Sequence, residues 1–251
     1  MAKTALDTVI IVPARLGSKR FPRKLLHEIH GKPLILWTAS RLSEVSPGLP
    51  IYFAVEDQEL EVLLQGEGYS VFRTCGDHQS GTDRIAEVNQ HLQAKYVLNV
   101  QADEPLITKK QLSLLNDLIH TTSDLATLAF PFQSASDFRN PNCVKVVLDR
   151  DGHALYFSRA PIPFRREGTI ILSDDCSLEN ACYHHMGVYA YKSSFLDAFR
   201  HLPLGTLERV ECLEQLRALE NGYKIVVGIT REPTVGVDTL EDVGKLEPLL
   251  V

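Results

Sequence analysis

Through the first half of the chain, short apolar runs alternate with longer amphipathic stretches. The runs, which are rich in β-branched residues, predict strands at residues 9–12, 51–55, 70–73 and 96–100. Apolar side chains recur at helical spacing between the runs, one stripe including Leu34, Trp37, Thr38, Arg41 and Leu42 and another Ile85, Val88 and Leu92. Parallel strands need long crossover connections, which are usually helical. The alternation therefore predicts an α/β fold with a mainly parallel twisted sheet and helices on both faces.

The second half of the chain has a different pattern. Its β-like segments, LATLAFPF, VKVVLD, ALYFSR and HMGVYAYK, are separated by loops rather than by long helices. We interpret them as a smaller mixed-sheet subdomain, inserted at about 125–205 within a single domain of residues 1–251. A helix is predicted next, ending at Asn221 and Gly222, with an inward face of Leu207, Val210, Leu213 and Leu216. KIVVGI then predicts a late strand, and GVDTLEDVGKLEPLL a closing turn and helix.

Composition excludes several classes of protein. The 251 residues are 44% hydrophobic and 23% charged, as in ordinary globular chains, and no apolar run approaches the roughly 20 residues of a membrane span. A formal net charge of -6 argues against binding to a polyanion such as DNA. Five cysteines without C-x-x-C spacing argue against a disulfide framework and a structural zinc site. The first residues do not form a signal peptide, so the expected location is the cytoplasm.

A basic loop follows the first predicted strand. The segment VIIVPARLGSKRFPRKLL passes from apolar residues directly into the cations Arg15, Lys19, Arg20, Arg23 and Lys24. Ligands of open parallel sheets bind beyond the carboxyl ends of the strands, where Arg and Lys suit phosphate groups. The alternative is a solvated surface loop. Neither the P-loop pattern nor the dinucleotide-binding glycine pattern is present, which weakens ATPase and dehydrogenase interpretations.

Three further segments carry polar residues that suit a magnesium–nucleotide site. Ser80 and Asp83 resemble a capping box, whose helix start either binds an anion or is simply capped. The fourth predicted strand leads into QADEP (residues 101–105), whose two carboxylates suit Mg²⁺, although a polar turn gives the same pattern. Asp238, in GVDTLEDV, is either a second carboxylate of that site or a helix cap.

Seven motifs, taken in order, resemble one known family. They are PARxxSxRxPxK, DHxSGTxR, VQxDEP, ALYFSRxPIP, HxGxYxY, LExxExLEQLR and GVDTxED. Together they are similar to the CMP-Kdo synthetase (3-deoxy-manno-octulosonate cytidylyltransferase) family over about residues 9–246. The resemblance implies a Rossmann-like nucleotidyltransferase fold and a homodimer, with the inserted subdomain binding sugar and forming the dimer. It also implies Mg²⁺ dependence and transfer of CMP from CTP to a 3-deoxy-octulosonate sugar acid in lipopolysaccharide biosynthesis.

The resemblance also assigns roles to individual residues. It implies that the triphosphate is held by Arg15, Ser18 and Lys24, and that cytidine is surrounded by Pro13, Ala14, Ser80 and Gly81. Magnesium is expected on Asp103 and Asp238, which with Arg15 and Lys24 form the expected catalytic set. The sugar acid is expected to meet Gln101, Arg159, His185, Tyr189, Glu214 and Gln215. From the residues alone, His185 is an ordinary interior residue, and Glu214 and Gln215 are solvated positions on a helix.

Three positions depart from the family pattern. Arg23 and Leu25 replace a usual glycine and proline, and Ala102 replaces the usual glycine of VQGDEP. Ala102 either strains a left-handed turn or projects a methyl group beside the sugar. The expected acceptor is therefore Kdo or a modified Kdo such as an 8-amino analogue. The alternatives are a cytidylyltransferase for another sugar acid of the sialic-acid type, a sugar-1-phosphate nucleotidyltransferase and a non-catalytic nucleotide-binding module.

Overall fold

The computed structural model describes residues 6–18, 20–76, 78, 80–121, 124–164, 166, 181–234 and 236–250. The strands in these ranges are β1 (Thr8–Ala14), β2 (Glu28–Ile29), β3 (Lys32–Pro33), β4 (Ile51–Val55), β5 (Ser70–Arg73), β6 (Tyr96–Asn99), β7 (Leu125–Phe130), β8 (Lys145–Leu148), β9 (Ala154–Ser158), β10 (Tyr183–Lys192) and β11 (Val226–Ile229). The α-helices are α1 (Leu34–Val45), α2 (Gln58–Gly66), α3 (Gly81–Leu92), α4 (Lys109–Thr121), α5 (Ala135–Arg139), α6 (Ser193–Phe199), α7 (Thr206–Glu211), α8 (Gln215–Glu220) and α9 (Leu240–Leu246). Short 3₁₀ turns lie at Lys24–Leu26 and Glu247–Leu249.

The chain forms two compact units. The first comprises Met1–Ser113, Tyr191–Arg200 and Thr234–Val251, and the second comprises Leu114–Ala190 and His201–Pro233. The sequence predicts an insertion at about 125–205. The second unit begins before that range, and residues 191–200 belong to the first unit instead. The second unit also takes in residues 201–233, because β11 pairs with β7 in parallel register.

The first unit contains the parallel sheet that the sequence predicts. Its strands lie in the order β6-β1-β4-β5, and every neighbouring pair is parallel. β1 is the buried centre, and Val9, Ile10, Ile11 and Val12 have no exposed surface. The chain moves from β1 through β4 to β5 and then returns past β1 to β6. Right-handed connections therefore place α1 and α2 on one face and α3 on the other, and the reversal beside β1 leaves a crevice at the strand carboxyl ends.

The second unit contains the predicted mixed sheet. β11 and β7 are parallel, whereas β8 pairs with β10 and with β9 in antiparallel register. Gly228 of β11 lies close to its neighbours, since an added Cβ would come within 2.6 Å of a Leu118 methyl group. Burying this glycine lets β11 approach α4.

The long helix predicted before Asn221 is wrong as a single element. Cys212 adopts a left-handed conformation (φ 51°) and separates α7 from α8. Leu213 and Leu216 are buried as predicted, but Leu207 is 39% exposed and Val210 is 77% exposed. The break changes which face of α7 points inward, so the stripe predicted for one straight helix divides into two. Gly222, at φ 80°, ends α8 as predicted.

Predicted helix starts are confirmed at α3. Ser80 is its N-cap residue, and its hydroxyl oxygen accepts a hydrogen bond from the Asp83 N–H at 3.2 Å.

No helix in the described part of the chain is both long enough and apolar enough to cross a membrane.

Candidate active site

A lysine and two aspartates, Lys24, Asp103 and Asp238, meet in the first unit; we call them the carboxylate–lysine cluster. Lys24 follows β1, and its Nζ donates hydrogen bonds to a carboxylate oxygen of Asp103 and, at 3.3 Å, to Oδ1 of Asp238. It also donates to the Val237 carbonyl oxygen at 2.7 Å. Three segments far apart in the chain thus converge on one ammonium group at the carboxyl ends of β1 and β6.

The electrostatics of the cluster keep the lysine charged. Burial alone would lower the pKa of Lys24, but the carboxylates of Asp103 and Asp238 raise it above its ordinary value. The neighbouring Glu104 is buried, and burial together with the charge on Asp103 raises its pKa to about 7. Its carboxylate accepts a hydrogen bond from the Thr234 hydroxyl at 2.6 Å.

The segment that carries Asp238 lies directly on the Asp103 turn. The Val237 N–H donates to the Asp103 carbonyl oxygen at 3.2 Å. A Cβ on Gly236 would come within 2.9 Å of the Glu104 carboxylate, so only glycine permits this approach without a shift. These backbone contacts fix where Asp238 points.

The structure excludes one of the two interpretations of Asp238, the helix cap. The cap of α9 is Thr239, which forms a capping box with Asp242, and the Asp238 N–H donates to the Asp242 carboxylate at 3.1 Å. The Asp238 carboxylate instead contacts Lys24 and, at 2.8 Å, the Arg20 guanidinium. The helix-cap interpretation of Asp238 is therefore wrong.

The basic loop is engaged with carboxylates. Arg20 pairs with Asp238, Lys24 lies within the cluster, and Arg23 forms two hydrogen bonds of 2.6 and 2.7 Å with Glu59. Arg15 is exposed, and Lys19 lies outside the described residues. The interpretation of these cations as a solvated surface loop is thus wrong for Lys24, whose side chain is 14% exposed, whereas Arg20 and Arg23 form their ion pairs at the surface.

Arg23 and Ala102, two of the three departures, differ in backbone conformation. Arg23, in place of the usual glycine, has φ 58° and therefore adopts the left-handed conformation that glycine favours. Ala102 is absent from the positive-φ residues of the described chain and is 3% exposed. Its carbonyl oxygen accepts a hydrogen bond from the Thr38 hydroxyl at 2.8 Å. The expected strain at Ala102 is not seen, because its turn is not left-handed, whereas a methyl group beside the sugar stays a prediction.

The residues expected around cytidine lie at the end of β1 and the start of α3. Pro13 and Ala14 are buried at the end of β1, and a Cβ on Gly81 would lie 3.7 Å from the Pro13 side chain. Gly81 therefore adjoins Pro13, and Ser80 caps the same helix. Ser18, expected at the triphosphate, lies in the loop after β1, where its N–H donates to the Leu16 carbonyl oxygen at 2.8 Å.

Gln101, one of the residues expected to contact the sugar acid, lies in the first unit. Its side-chain amide donates to Asn99 Oδ1 at 3.0 Å, and Asn99 in turn donates to the Tyr191 hydroxyl at 3.3 Å. Thr82 of α3 also contacts that hydroxyl at 3.1 Å. This polar chain fixes the end of β6 relative to the start of α3.

The other sugar-side residues belong to the second unit. Arg159 is held by hydrogen bonds from its guanidinium to the carbonyl oxygens of Glu211, Pro141 and Cys212 at 2.8, 3.0 and 3.4 Å. Gln215 is 8% exposed, and Glu214 is half-buried at the start of α8. The interpretation of Gln215 as a solvated helix residue is therefore wrong.

His185 and Tyr189 lie together on β10. Their ring centroids are 5.4 Å apart, and His185 Nε2 lies 3.0 Å from the Thr127 hydroxyl oxygen. Thr127 donates its proton to the Val188 carbonyl oxygen at 2.7 Å, so it accepts from His185 in the tautomer protonated at Nε2. Burial lowers the pKa of His185 to about 3, which keeps the ring neutral at physiological pH.

Two residues of these networks were not expected in the site. Arg20 contacts Asp238 at 2.8 Å, and only its place in the basic loop indicated a role. Glu211 accepts from the Ser158 hydroxyl at 2.6 Å and from the Arg159 N–H at 2.9 Å, so it positions Arg159. Glu211 occurs in the LExxExLEQLR motif, but its partners Ser158 and Arg159 are more than 50 residues away in sequence.

Comparisons with known proteins cover nearly the whole chain. A family model described as cytidylyltransferase matches residues 9–225. A 3-deoxy-manno-octulosonate cytidylyltransferase from Thermodesulfovibrio yellowstonii is 43% identical, with 97% of this chain and 98% of the relative covered. One from Syntrophobacter fumaroxidans is 44% identical, with 96% and 95% covered. A solved structure of CMP:2-keto-3-deoxy-manno-octonic acid synthetase complexed with CTP has a TM-score of 0.85 at 36% identity, covering 97% of this chain and 98% of that one.

Proposed function

Because the chain belongs to the cytidylyltransferase family, we propose that it transfers CMP from CTP to the anomeric hydroxyl of a 3-deoxy-octulosonate sugar acid, releasing pyrophosphate. The product would enter lipopolysaccharide biosynthesis. The observation that carries this proposal is the carboxylate–lysine cluster, in a chain whose full length is similar to 3-deoxy-manno-octulosonate cytidylyltransferases.

The proposed reaction is a displacement at the α-phosphorus of CTP. The sugar hydroxyl oxygen attacks phosphorus, the bond to the bridging oxygen of pyrophosphate breaks, and the hydroxyl proton is lost to solvent. Negative charge on the phosphoryl oxygens is offset by Arg15 and Lys24. Acceleration then comes mainly from positioning and electrostatics.

Mg²⁺ is the proposed cofactor, held by Asp103 and Asp238. Two carboxylates that already share one cation, the Lys24 ammonium, provide oxygen donors of the kind that Mg²⁺ prefers. When bound, Mg²⁺ would supply positive charge at the phosphates and lower the pKa of a hydroxyl that it contacts. A titration of turnover with Mg²⁺ would measure whether one or two ions bind.

The remaining assignments follow from the family resemblance. Cytidine is proposed to meet Pro13, Ala14, Ser80 and Gly81, and Ser18 a phosphate. The proposed contacts of the sugar acid are Gln101, Arg159, His185, Tyr189, Glu214 and Gln215. His185 would act as a neutral hydrogen-bonding group, because burial lowers its pKa to about 3. A cytoplasmic homodimer, formed through the inserted subdomain, belongs to the same proposal.

An acceptor panel tests this function. Purified protein is incubated with Mg²⁺, CTP and, separately, Kdo, 8-amino-Kdo, a sialic acid and a hexose 1-phosphate, and pyrophosphate is measured. Turnover with either octulosonate and with neither other acceptor is expected, and the ratio of kcat/KM between the two octulosonates assigns the preferred one. Turnover only with sialic acid or the sugar phosphate would replace the proposed acceptor. Thermal stabilisation by CTP without pyrophosphate from any acceptor would favour a non-catalytic nucleotide-binding module.

A further inference from the structure

Three side chains of the kinds that can bind metal ions meet in the first unit, outside the carboxylate–lysine cluster. Cys75 follows β5, His78 lies three residues later, and Glu87 lies on α3. The donor atoms of all three lie within 4.8 Å of one another. We call this group the Cys–His–Glu cluster.

The Glu87 carboxylate lies at the centre of the cluster. One of its oxygens is in hydrogen-bond contact with His78 Nε2, and the other lies 3.5 Å from the Cys75 sulfur. The side chains of His78 and Glu87 are 14% and 20% exposed, whereas Cys75 is exposed. The cluster therefore has two largely shielded donors and one open side through which an ion can enter.

The donor set points to a particular class of metal ion. Mg²⁺ and Ca²⁺ select oxygen ligands, whereas thiolate and imidazole together suit Zn²⁺ and similar transition metals. We propose that Cys75, His78 and Glu87 bind one Zn²⁺, or an ion of the same class, with water as the fourth ligand. Binding displaces the Cys75 thiol proton to solvent and requires neutral His78, so it releases protons.

Metal binding at this cluster would connect the segment after β5 to the second turn of α3. That helix begins at the Ser80 cap, between the two parts of the ligand set. This metal-mediated connection lies within the first unit and does not depend on the proposed reaction. The sequence feature that corresponds to this site is a C-x-x-H spacing at residues 75–78, which differs from the C-x-x-C spacing of common zinc sites.

Another group of potential ligands serves as an internal comparison. Asp149, Asp151 and His153 also bring three donor atoms within 4.8 Å, in the turn between β8 and β9. The Asp149 carboxylate accepts hydrogen bonds from the N–H groups of Asp151 and His153 at 2.9 and 2.8 Å, as expected of a turn. This group has no sulfur, so a sulfur-to-metal signal cannot come from it.

Cobalt spectroscopy tests the proposal on the full-length protein. Metal-free protein, reduced with a phosphine, is titrated with Co²⁺, and the sulfur-to-cobalt charge-transfer absorption is recorded before competition with Zn²⁺. The expected result is a band that saturates at one equivalent and is removed by Zn²⁺. Cys75→Ser should abolish it, and His78→Gln and Glu87→Gln should each weaken Co²⁺ binding by about tenfold or more.

Two control variants separate this site from other positions. Cys212→Ser removes the other exposed cysteine of the described chain, and Asp103→Asn alters the proposed magnesium site; both should keep the band. Circular dichroism and Tm confirm that each variant is folded. Absence of the band from the wild type, or its persistence in Cys75→Ser, would overturn the proposal. Unchanged Co²⁺ affinity in both His78→Gln and Glu87→Gln would do the same. No outcome depends on catalytic turnover, so failure here is distinguishable from failure of the proposed function.

Discussion

The Lys24 ammonium group contacts oxygen atoms of Asp103, Val237 and Asp238, and its side chain is 14% exposed. A buried ammonium needs such partners because removing a charge from water is costly. The same arrangement places two carboxylates near each other, where the shared Lys24 ammonium and the Arg20 guanidinium offset their repulsion. At this scale the residues that support folding and those proposed for catalysis are the same.

Asp103→Asn and Asp238→Asn should each lower turnover by about 100-fold or more while leaving Tm nearly unchanged. Asparagine keeps the shape and can still accept from Lys24, but it lacks the negative charge proposed for Mg²⁺. Steady-state kinetics and thermal unfolding measure the two effects. Asp242→Asn is the matched control: it weakens the α9 capping box, so Tm should fall while turnover is largely retained. Near-wild-type turnover in either site variant would remove that carboxylate from the proposed metal site.

Lys24→Met should raise KM for CTP and lower kcat/KM. Methionine has a similar length but supplies no charge to the phosphates, and it leaves Asp103 and Asp238 without their shared cation. Initial rates at varied CTP and fixed sugar acid test this. Arg23→Met, which removes a cation paired with the exposed Glu59, is the control and should change these constants little. Wild-type constants for Lys24→Met would exclude its proposed phosphate role.

Ala102→Gly should lower the free energy of unfolding by about 0.4–1 kcal/mol and leave acceptor preference unchanged. Ala102 lies outside the left-handed region, so glycine only increases the freedom of the unfolded chain. Ala102 is 3% exposed, so removal of its methyl group does not alter an exposed surface. Urea unfolding measures the change in stability, and the ratio of kcat/KM for Kdo and 8-amino-Kdo measures acceptor preference. A reversed ratio would show that the methyl group determines acceptor choice.

Among the elements, α7 and α8 form a pair joined by a buried ion pair. Arg217 of α8 donates to the Glu208 carboxylate of α7 at 2.7 and 2.8 Å, and both residues are buried. The left-handed Cys212 between the helices lets them fold back so that these side chains meet. Glu220 of α8 accepts hydrogen bonds from the N–H groups of Leu207 and Glu208 at 3.0 and 3.2 Å, which caps α7.

Arg217→Met should therefore lower the free energy of unfolding by about 3–5 kcal/mol, because it leaves the Glu208 charge buried without its partner. Glu208→Leu combined with Arg217→Met should recover most of that loss, since an apolar pair has no charge to desolvate. Urea unfolding of the single and double variants measures both values. Equal destabilisation of the single and double variants would show that packing, rather than the unpaired charge, causes the effect.

For the whole molecule, stability is linked to pH through two histidines of β10, the buried His185 and the half-buried His184. Burial lowers the pKa of His185 to about 3 and that of His184 to about 4, from an ordinary value of 6.5. The unfolded chain takes up these protons below about pH 6.5, whereas the folded chain does so only near pH 4 and 3. Their contribution to stability is therefore complete above about pH 6.5 and decreases as pH falls through the window below it.

From about pH 7.5 to about pH 4.5, His185 alone should account for a loss of about 2–3 kcal/mol in the free energy of unfolding. Urea unfolding across this range should show a smaller loss in His185→Gln than in the wild type. The exposed His201 provides the control variant, His201→Gln, for removal of a histidine as such. The same pH dependence in His185→Gln and the wild type would contradict the link.

The amino-acid sequence alone predicted the parallel sheet, the mixed sheet and the positions of the basic loop and the carboxylate turn. It did so because burial imposes a periodicity on each strand and helix, and because parallel strands bring their carboxyl ends to one edge. Local pattern also identified the Ser80 cap and the Gly222 stop, which depend on neighbouring residues alone. The same motifs were sufficient to identify the family.

Which polar groups meet, by contrast, depends on how the whole chain folds. Asp238 could have capped a helix until the contacts of Val237 and Gly236 with the Asp103 turn fixed its direction. Other contacts also join segments that are not adjacent in sequence: the helix pair that meets because of the turn at Cys212, the hydrogen bonds of Arg159, and the contact of Glu87 with Cys75. Such contacts depend on the packing of whole elements, whose free energies are summed over many residues, so no local pattern specifies them.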